Sequence, residues 1–188
     1  MQSVSNPTDE DLLRLLRRGN EEAFTALYRR WSPCIYRFVW QMSGSPQLAE
    51  EITQDAFMTL IQTLQVFDPS RGSLISFLYG ISRNLLRRQF EREEDMESIT
   101  ACESATEELA SNSDILGDLT RRESIEAVRQ AILSLPPVYR EALVLCDLQE
   151  LSYEQAAMAL GCPVGTVRSR LHRGRAALTA KLQNGCFV

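Results

Sequence analysis

The stretch Leu151–Arg175, LSYEQAAMALGCPVGTVRSRLHRGR, decides the fold of the second half of the chain. Ser152 and Gln155 have the spacing of a capping box, which predicts the start of a helix. Gly161 predicts the end of that helix, and a second helix follows after a short turn. Two adjacent alanines in the first helix allow the helices to cross closely. The pattern therefore predicts a helix-turn-helix.

The second helix of this motif separates apolar and polar side chains. At 100° per residue, four apolar side chains lie within about 60° of Val167. Between Pro163 and Val188 there are five basic residues and no acidic one. Arginine can pair with phosphate or read a guanine edge, so the outer face suits the major groove of DNA. The apolar set is Val164, Leu171, Leu178 and Leu182; the opposite face holds Thr166, Ser169, Arg170, His172 and Arg173, with Arg168 and Arg175 at the boundary.

The net charge is distributed unevenly along the chain. Its 188 residues carry a formal net charge of −5, from 20 basic and 25 acidic side chains. Residues 1–92 hold 11 basic and 10 acidic side chains, and residues 121–188 hold nine basic and six acidic ones. Residues 93–120 between them hold nine acidic side chains and no basic one. The acidic stretch is rich in Ser, Glu and Ala and has weak apolar periodicity, so we predict a flexible or partly helical linker at 93–120 between two domains.

The sequence predicts helices in both domains. Apolar residues recur at three- and four-residue spacing, and strand signals are nearly absent. Capping and turn residues divide this pattern, so we predict an all-α fold of two small bundles. The predicted features are a helix over about Asp9–Arg18, a helix capped by Asn20 and broken or kinked at Pro33, a helix from Ser45-Pro46 to near Phe67, a helix over about Leu74–Arg92, a capping box at Thr120 and Glu123, and a division at Pro136-Pro137.

The predicted helix Leu74–Arg92 combines an apolar stripe with basic and aromatic residues. Arginines beside Tyr79 and Phe90 suit single-stranded nucleic acid, because arginine holds the backbone and aromatic rings accept bases. Phe90 also fits a place in the core. The predicted buried stripe is Leu74, Phe77, Leu78, Ile81 and Leu85, with Arg83, Asn84, Arg87 and Arg88 projecting elsewhere.

Three blocks of the sequence together resemble the extracytoplasmic-function (ECF) sigma factors of the sigma-70 family. They are AEEITQDAFMTLIQ, GSLISFLYGISRNLLRRQFER and LPPVYREALVLCDLQELSYEQAAMALGCPVGTVRSRLHRGRAAL. The resemblance implies a region 2 helical bundle over 1–92 and a region 4 helix-turn-helix over 121–188. It also implies an alternative sigma factor, which brings core RNA polymerase to promoter DNA and is itself inhibited by a separate anti-sigma factor.

The resemblance assigns roles to particular residues. The loop Asp68–Ser73 and the following helix match the part that captures the promoter −10 element, where a base is flipped out of the duplex. The linker at 93–120 matches the segment that threads the polymerase channels. The matched positions are Gln54, Asp55, Phe57 and Leu60 for core polymerase, Asn84, Arg87 and Arg88 for the −10 element, and Thr166, Arg168, Ser169, His172, Arg173 and Arg175 for the −35 element.

Other functions fit less of the chain. A helix-turn-helix regulator that is not a polymerase subunit would explain residues 151–182 alone, and a helical adaptor would not need so basic a final helix. One histidine, no glycine-rich phosphate loop and no metal-ligand spacing argue against an enzyme such as a cysteine-dependent hydrolase. We therefore predict no catalytic residue, no metal and no cofactor, and His172 as a DNA-facing side chain.

The cysteines and the apolar runs give the remaining predictions. The cysteines form neither a CxxC pair nor a zinc-finger cluster, so we interpret them as small buried hydrophobic residues, with a redox pair as the alternative. The longest charge-free run is shorter than the roughly 18 residues that span a membrane, and the N-terminus lacks a signal-peptide pattern. We expect a cytoplasmic protein without membrane insertion. The cysteines are Cys34, Cys102, Cys146, Cys162 and Cys186.

Overall fold

The computed structural model describes residues 7–99 and 116–184, and helices dominate both ranges. No strand occurs in these two ranges, which agrees with the predicted all-α fold. In chain order the elements are α1 (Asp9–Leu16), α2 (Glu21–Ser43), α3 (Pro46–Thr63), a 3₁₀ turn (Pro69–Arg71), α4 (Leu74–Ile99), α5 (Leu116–Leu133), α6 (Pro137–Leu143), a π turn (Val144–Leu148), α7 (Tyr153–Leu160) and α8 (Val164–Asn184).

Local capping explains where several helices start. The Asn20 side chain accepts a hydrogen bond from the Ala23 amide at the start of α2. Ser45 caps α3, with Pro46 in the first turn, where its missing N–H costs nothing. Ser152 and Gln155 form the reciprocal capping box of α7, as predicted.

α2 runs through Pro33 without interruption, so the predicted break does not occur there. The helix continues from Glu21 to Ser43. Leu27 before the proline and Ile35 and Phe38 after it are all fully buried in one core. Pro33 itself is exposed, so water can reach the backbone carbonyl that it leaves without a helical partner. Burial on both sides of Pro33 outweighs the lost hydrogen bond.

The helices on either side of the predicted linker are longer than expected. α4 continues beyond Arg92 to Ile99, and α5 begins at Leu116. Thr120 lies inside α5, so the predicted capping box there was wrong. Glu, Arg and Met favour helix over 91–99, where neither Gly nor Pro interrupts. Residues 100–115 and the two cysteines Cys102 and Cys186 lie outside the described residues.

The first domain, α1–α4, is built around α2. Phe38 of α2 meets Tyr79 of α4 edge to face, with 5.2 Å between ring centroids. Phe57 of α3 packs on Tyr28 of α2 at 4.8 Å. Leu60 of α3 is also fully buried. These three helices therefore share one apolar core.

The second domain, α5–α8, places α8 across α6 and α7. Val167 and Leu171 of α8 are buried, as the helical angles predicted. Gly174 is also buried, and a Cβ there would lie 3.1 Å from the Tyr139 carbonyl oxygen of α6. Gly174 lets the two helix backbones approach this closely, and a side chain there would press on the backbone of α6. The opposite face of α8 is left to solvent.

The two domains pack against each other, chiefly through α4 and α7. The buried residues of both domains belong to one continuous cluster. This packing decides which parts of α4 remain accessible.

Candidate nucleic-acid interface

The outer face of α8 lies where the sequence predicts it. Gly161 ends α7 in the left-handed conformation, with φ of 62°, and α8 starts at Val164. Residues Arg168, Ser169, His172 and Arg173 are exposed, while Thr166 is half-buried. The Ser169 hydroxyl donates to the Thr166 carbonyl at 3.0 Å. A capped helix-turn-helix thus presents a row of polar and basic side chains.

Arg168 and Arg173 differ in their surroundings. The Arg168 guanidinium carbon lies 5.4 Å from the centroid of the Tyr153 ring, so Arg168 leans toward the start of α7. No side chain within the described part of the molecule forms an ion pair with Arg173. Arg173 is therefore the arginine of this face whose charge is most available to a ligand.

Arg175 is held by the protein itself. Its Nε donates to Asp147 Oδ2 at 2.9 Å, and its Nη2 donates to Asp147 Oδ1 at 2.6 Å. These hydrogen bonds and the charge of Asp147 raise the pKa of Arg175. The pair joins α8 to the π turn, a contact that sequence reasoning missed. Arg175 thus differs from Arg173, because its charge is already paired with a carboxylate of the protein.

The predicted −10 residues lie together on α4. Asn84, Arg87 and Arg88 are all exposed. Arg87 Nε lies 3.3 Å from Glu91 Oε1, one helical turn away. This pair is well solvated, so it holds Arg87 only weakly. Asn84 lines the same cavity as Asp68 of the loop before α4, and the Asp68 carboxylate accepts from the Ser70 amide at 2.9 Å.

Tyr79 does not belong to this exposed face, contrary to the expectation that it sits beside the arginines as a stacking residue. Its side chain is 1% exposed, and burial raises its pKa. The Tyr79 hydroxyl donates to Gln149 Oε1 at 3.2 Å, and Gln149 Nε2 donates to Gln41 Oε1 at 2.9 Å. Phe90 is half-buried against the core. Tyr79 therefore joins the two domains and is inaccessible to a base in this structure.

The residues matched to polymerase binding divide into two groups. Gln54 and Asp55 are exposed on α3, but Phe57 and Leu60 are 1% and 0% exposed. Phe57 and Leu60 therefore hold α3 in place and lie beneath its surface. Sequence reasoning missed Met58 and Ile61, apolar residues that are 54% and 41% exposed on α3. One helical turn separates Gln54 and Asp55 from Met58, which places them on one side of the helix.

The cysteines are half-buried where the structure describes them, which agrees in part with their interpretation as small hydrophobic residues. Burial, with the neighbouring charge of Asp147, raises the pKa of Cys146 to about 11. Residues 7–99 and 116–184 contain no group of His, Cys, Asp and Glu arranged to hold a metal ion. No helix of the described chain is both long and apolar enough to cross a membrane.

Comparison with known proteins gives the class. The family described as Sigma-70 region 2 matches residues 27–95, and the family described as Sigma-70, region 4 matches residues 125–178. These are the helical bundle that carries α4 and the domain that carries the helix-turn-helix. The two matches thus define a sigma-70 protein with regions 2 and 4.

Two individual relatives show to which group of sigma-70 proteins the chain is similar. The chain is 31% identical to the ECF RNA polymerase sigma factor SigW of Bacillus subtilis, over 92% of this chain and 95% of SigW. It is 34% identical to the ECF RNA polymerase sigma factor SigE of Mycolicibacterium smegmatis, over 81% of this chain and 58% of the length of SigE. The chain belongs to the ECF sigma factors of the sigma-70 family, and as such it is an alternative sigma factor that directs transcription initiation.

A solved structure shares the fold. CnrH, solved in complex with the cytosolic domain of CnrY, aligns with a TM-score of 0.72 at 23% identity, over 95% of this chain and 99% of CnrH. The two-domain helical architecture is therefore shared at low sequence identity.

Proposed function

We propose that this chain selects promoters for RNA polymerase by reading the −35 element with α8 and capturing the −10 element with α4 and the loop before it. The observation that carries this proposal is the exposed outer face of α8, on a capped helix-turn-helix, in a chain that also has region 2. A regulator acting without polymerase would leave region 2 without a role.

The −35 contact rests on four exposed side chains of α8: Arg168, Ser169, His172 and Arg173. The apolar residues Val167 and Leu171 fix the other side of the helix in the core. Arginine can hydrogen-bond a guanine edge through two nitrogens, and Ser and His add shorter contacts. Arg175 has a different proposed role, because Asp147 already accepts two of its hydrogen bonds. It positions α8 and contributes little charge to DNA.

The −10 contact rests on Asn84, Arg87 and Arg88. They share one side of α4 beyond the loop Asp68–Ser73, so a single strand that reaches the loop can continue along the helix. Arginine side chains track the backbone of single strands, and the amide of Asn84 supplies hydrogen bonds to a base edge. Unstacking a base costs a few kcal/mol, which these contacts offset.

Core polymerase docks on α3 in this proposal. The exposed polar pair Gln54 and Asp55 lies beside the exposed apolar residues Met58 and Ile61. Apolar side chains within a polar rim are typical of protein interfaces. The proposed surface thus consists of these four residues, and Phe57 and Leu60 support it from beneath.

In this proposal the protein catalyses no reaction itself. It acts in the cytoplasm, where it binds RNA polymerase. A separate anti-sigma factor is its proposed inhibitor. The support is that the sigma factor RpoE of Bartonella quintana, solved in complex with the anti-sigma factor NepR, shares the fold with a TM-score of 0.68 at 24% identity.

Transcription with purified components tests the proposal. Core polymerase plus this chain is incubated with genomic DNA, and the 5′ ends of the transcripts are sequenced. We expect starts that share two upstream elements, and Arg173→Ala should weaken binding of the holoenzyme to that promoter by about 1–3 kcal/mol if Arg173 reads a base. The loss should depend on the sequence of the −35 element.

Arg14→Ala is the matched control. Arg14 is an exposed arginine on α1 that pairs only locally with Asp11 at 3.2 Å. This variant should direct transcription like the original chain. Starts without shared upstream elements would contradict the proposed function, and equal losses on every −35 sequence would show that Arg173 contacts phosphate alone.

A further inference from the structure

The loop Asp68–Ser73, which is the proposed capture site of the −10 element, is tied to α1 by an arginine. Arg17 lies at the C-terminal end of α1, and its Nη2 donates to the Phe67 carbonyl at 2.6 Å. Its Nε donates to the Leu64 carbonyl at 3.3 Å. Leu64 caps the end of α3 and Phe67 directly precedes the loop, so one guanidinium binds both ends of the segment that leads into the loop.

The two carbonyls that Arg17 binds belong to buried residues, Leu64 and Phe67. The last turn of α3 contains no basic residue, although cations stabilise a helix C-terminus. Backbone carbonyls of buried residues ordinarily have a hydrogen-bond partner, because desolvation without one is costly. Arg17 supplies that partner from a position 47 to 50 residues earlier in the chain.

α1 is itself fixed to α2 near its N-terminus. Arg30 Nη1 of α2 donates to Asp9 Oδ1 at 2.6 Å, and Trp31 Nε1 donates to Asp9 Oδ2 at 3.1 Å. Leu12 and Leu13, in the middle of α1, are buried in the core. α1 is therefore a fixed connection between α2 and the start of the loop.

Other contacts fix the internal shape of the loop and its junction with α4. The Asp68 carboxylate accepts hydrogen bonds from the amide and the hydroxyl of Ser70 at 2.9 and 2.8 Å. The hydroxyls of Ser73 and Ser76 share a hydrogen bond of 2.8 Å, and the Ser73 hydroxyl also accepts from the Ser76 amide. These contacts hold the turn and its exit into α4, whereas the contacts of Arg17 hold its entry.

An open cavity of about 560 Å³ lies between the start of α1 and the loop. Its lining includes Trp31 of α2 and Pro69 of the loop. The loop is therefore not packed tightly on α1 along this side. Its entry is held instead by the two hydrogen bonds of Arg17 and by the Phe67 ring, which packs on Phe77 of α4 with 4.9 Å between ring centroids.

From these contacts we infer that Arg17 is a positioning residue for capture of the −10 element. Its guanidinium binds protein carbonyls, and it acts on DNA only through the loop that it holds. The inference rests on the proposed function for the identity of the captured strand. Without Arg17 the loop samples other positions, and the apparent affinity for the strand falls with the fraction of chains whose loop is in place.

Hydrogen exchange of the full chain without DNA tests whether Arg17 holds the loop. The amides of Ser70 and Gly72 donate hydrogen bonds within the loop at 2.9 and 3.3 Å, so their exchange reports on its order. Arg17→Ala should raise the exchange rate of these amides by about tenfold and leave α8 unchanged. Arg18→Ala is the matched control, because it removes the same charge from an exposed arginine one residue further on. It should leave the exchange of the loop unchanged.

Binding by the holoenzyme tests the effect on promoter capture. Two fluorescent probes are taken from a promoter that the original chain selects, a single strand with the −10 element and a duplex with the −35 element. Arg17→Ala should bind the single strand about tenfold more weakly and the duplex equally well. Arg18→Ala should bind both probes like the original chain.

The salt dependence of the single-strand affinity distinguishes a positioning residue from a residue that touches DNA. Each phosphate contact on a single strand contributes about −0.7 to the slope of log K against log salt. Because Arg17 binds protein carbonyls, Arg17→Ala should lower the affinity at every salt concentration and leave this slope unchanged.

The outcomes separate this inference from the proposed function. It would be overturned by unchanged exchange of the loop amides, by an equal loss on the −35 duplex, by the same loss in Arg18→Ala, or by a slope less negative by about 0.7. The opposite results support it. If the original holoenzyme starts transcription without shared upstream elements, the proposed function fails, whereas hydrogen exchange still decides whether Arg17 holds the loop.

Discussion

Replacing Asp147 by Asn should make DNA binding by the full chain more dependent on salt. Asp147 accepts hydrogen bonds from Nε and Nη2 of Arg175 at 2.9 and 2.6 Å, so it neutralises that arginine beside the proposed −35 face. Asp147→Asn keeps the shape of the side chain but removes its charge. Arg175 is then released as an additional cation next to the exposed face of α8.

The expected magnitude follows from counterion release. Each phosphate neutralised on duplex DNA contributes about −0.9 to the slope of log K against log salt. The slope for Asp147→Asn should therefore become more negative by about 0.9. The fold should survive, because an exposed ion pair contributes only about 0–1 kcal/mol to stability.

Fluorescence anisotropy with a duplex of arbitrary sequence, titrated at several salt concentrations, measures this slope. The outer face of α8 is exposed in the structure, so the full chain can be used. Asp147→Asn with Arg175→Gln should restore the original slope. Glu150→Gln is the matched control, since it removes an exposed acid two residues beyond the π turn.

Two results would refute this reasoning. An unchanged slope in Asp147→Asn would mean that Arg175 reaches no phosphate when it is released. An increase that persists in the double variant, or that Glu150→Gln reproduces, would mean that the lost negative charge acts by itself.

Three further predictions concern stability, docking and reactivity. Phe57→Ala should destabilise the first domain by about 3–5 kcal/mol in urea unfolding. Met58→Ala should leave the stability nearly unchanged and weaken binding to core polymerase. The reverse pattern would place Phe57 in the docking surface. Ser152→Ala should cost about 1 kcal/mol in the same unfolding measurement because it removes the cap of α7, and a loss near zero would contradict the capping contact with Gln155. Cys146 should react with iodoacetamide far more slowly than an unhindered thiol at pH 8, because its pKa of about 11 keeps it protonated. The rate of alkylation should rise only as the pH approaches that value. Rapid alkylation at pH 8 would show that Cys146 is not buried.

Much of the second domain could be predicted from sequence because its signals are local. The capping box at Ser152, the left-handed Gly161 and the buried stripe of Val167 and Leu171 each depend on residues within one or two helical turns. The exposed row from Arg168 to Arg173 follows from that stripe, since a helix that buries one side presents the other.

Features that depend on the tertiary structure were harder to predict. Proline ordinarily breaks a helix, but the apolar residues on both sides of Pro33 share one core and keep α2 continuous. Tyr79 has the residue type of a stacking platform, yet its ring meets Phe38 and its hydroxyl meets Gln149 of the other domain. Phe57 fits a binding motif equally well whether it lies on the surface or beneath it.

The C-terminus of α2 shows why the contact between the two domains could not be predicted from the sequence. α2 ends at Ser43 and Gly44 with no basic residue in its last turn, and the cations that its carbonyls attract come from Arg129 and Arg140. Arg129 and Arg140 lie 85 and 98 residues after the residues whose carbonyls they bind, so no signal local to α2 could reveal that the second domain completes this helix.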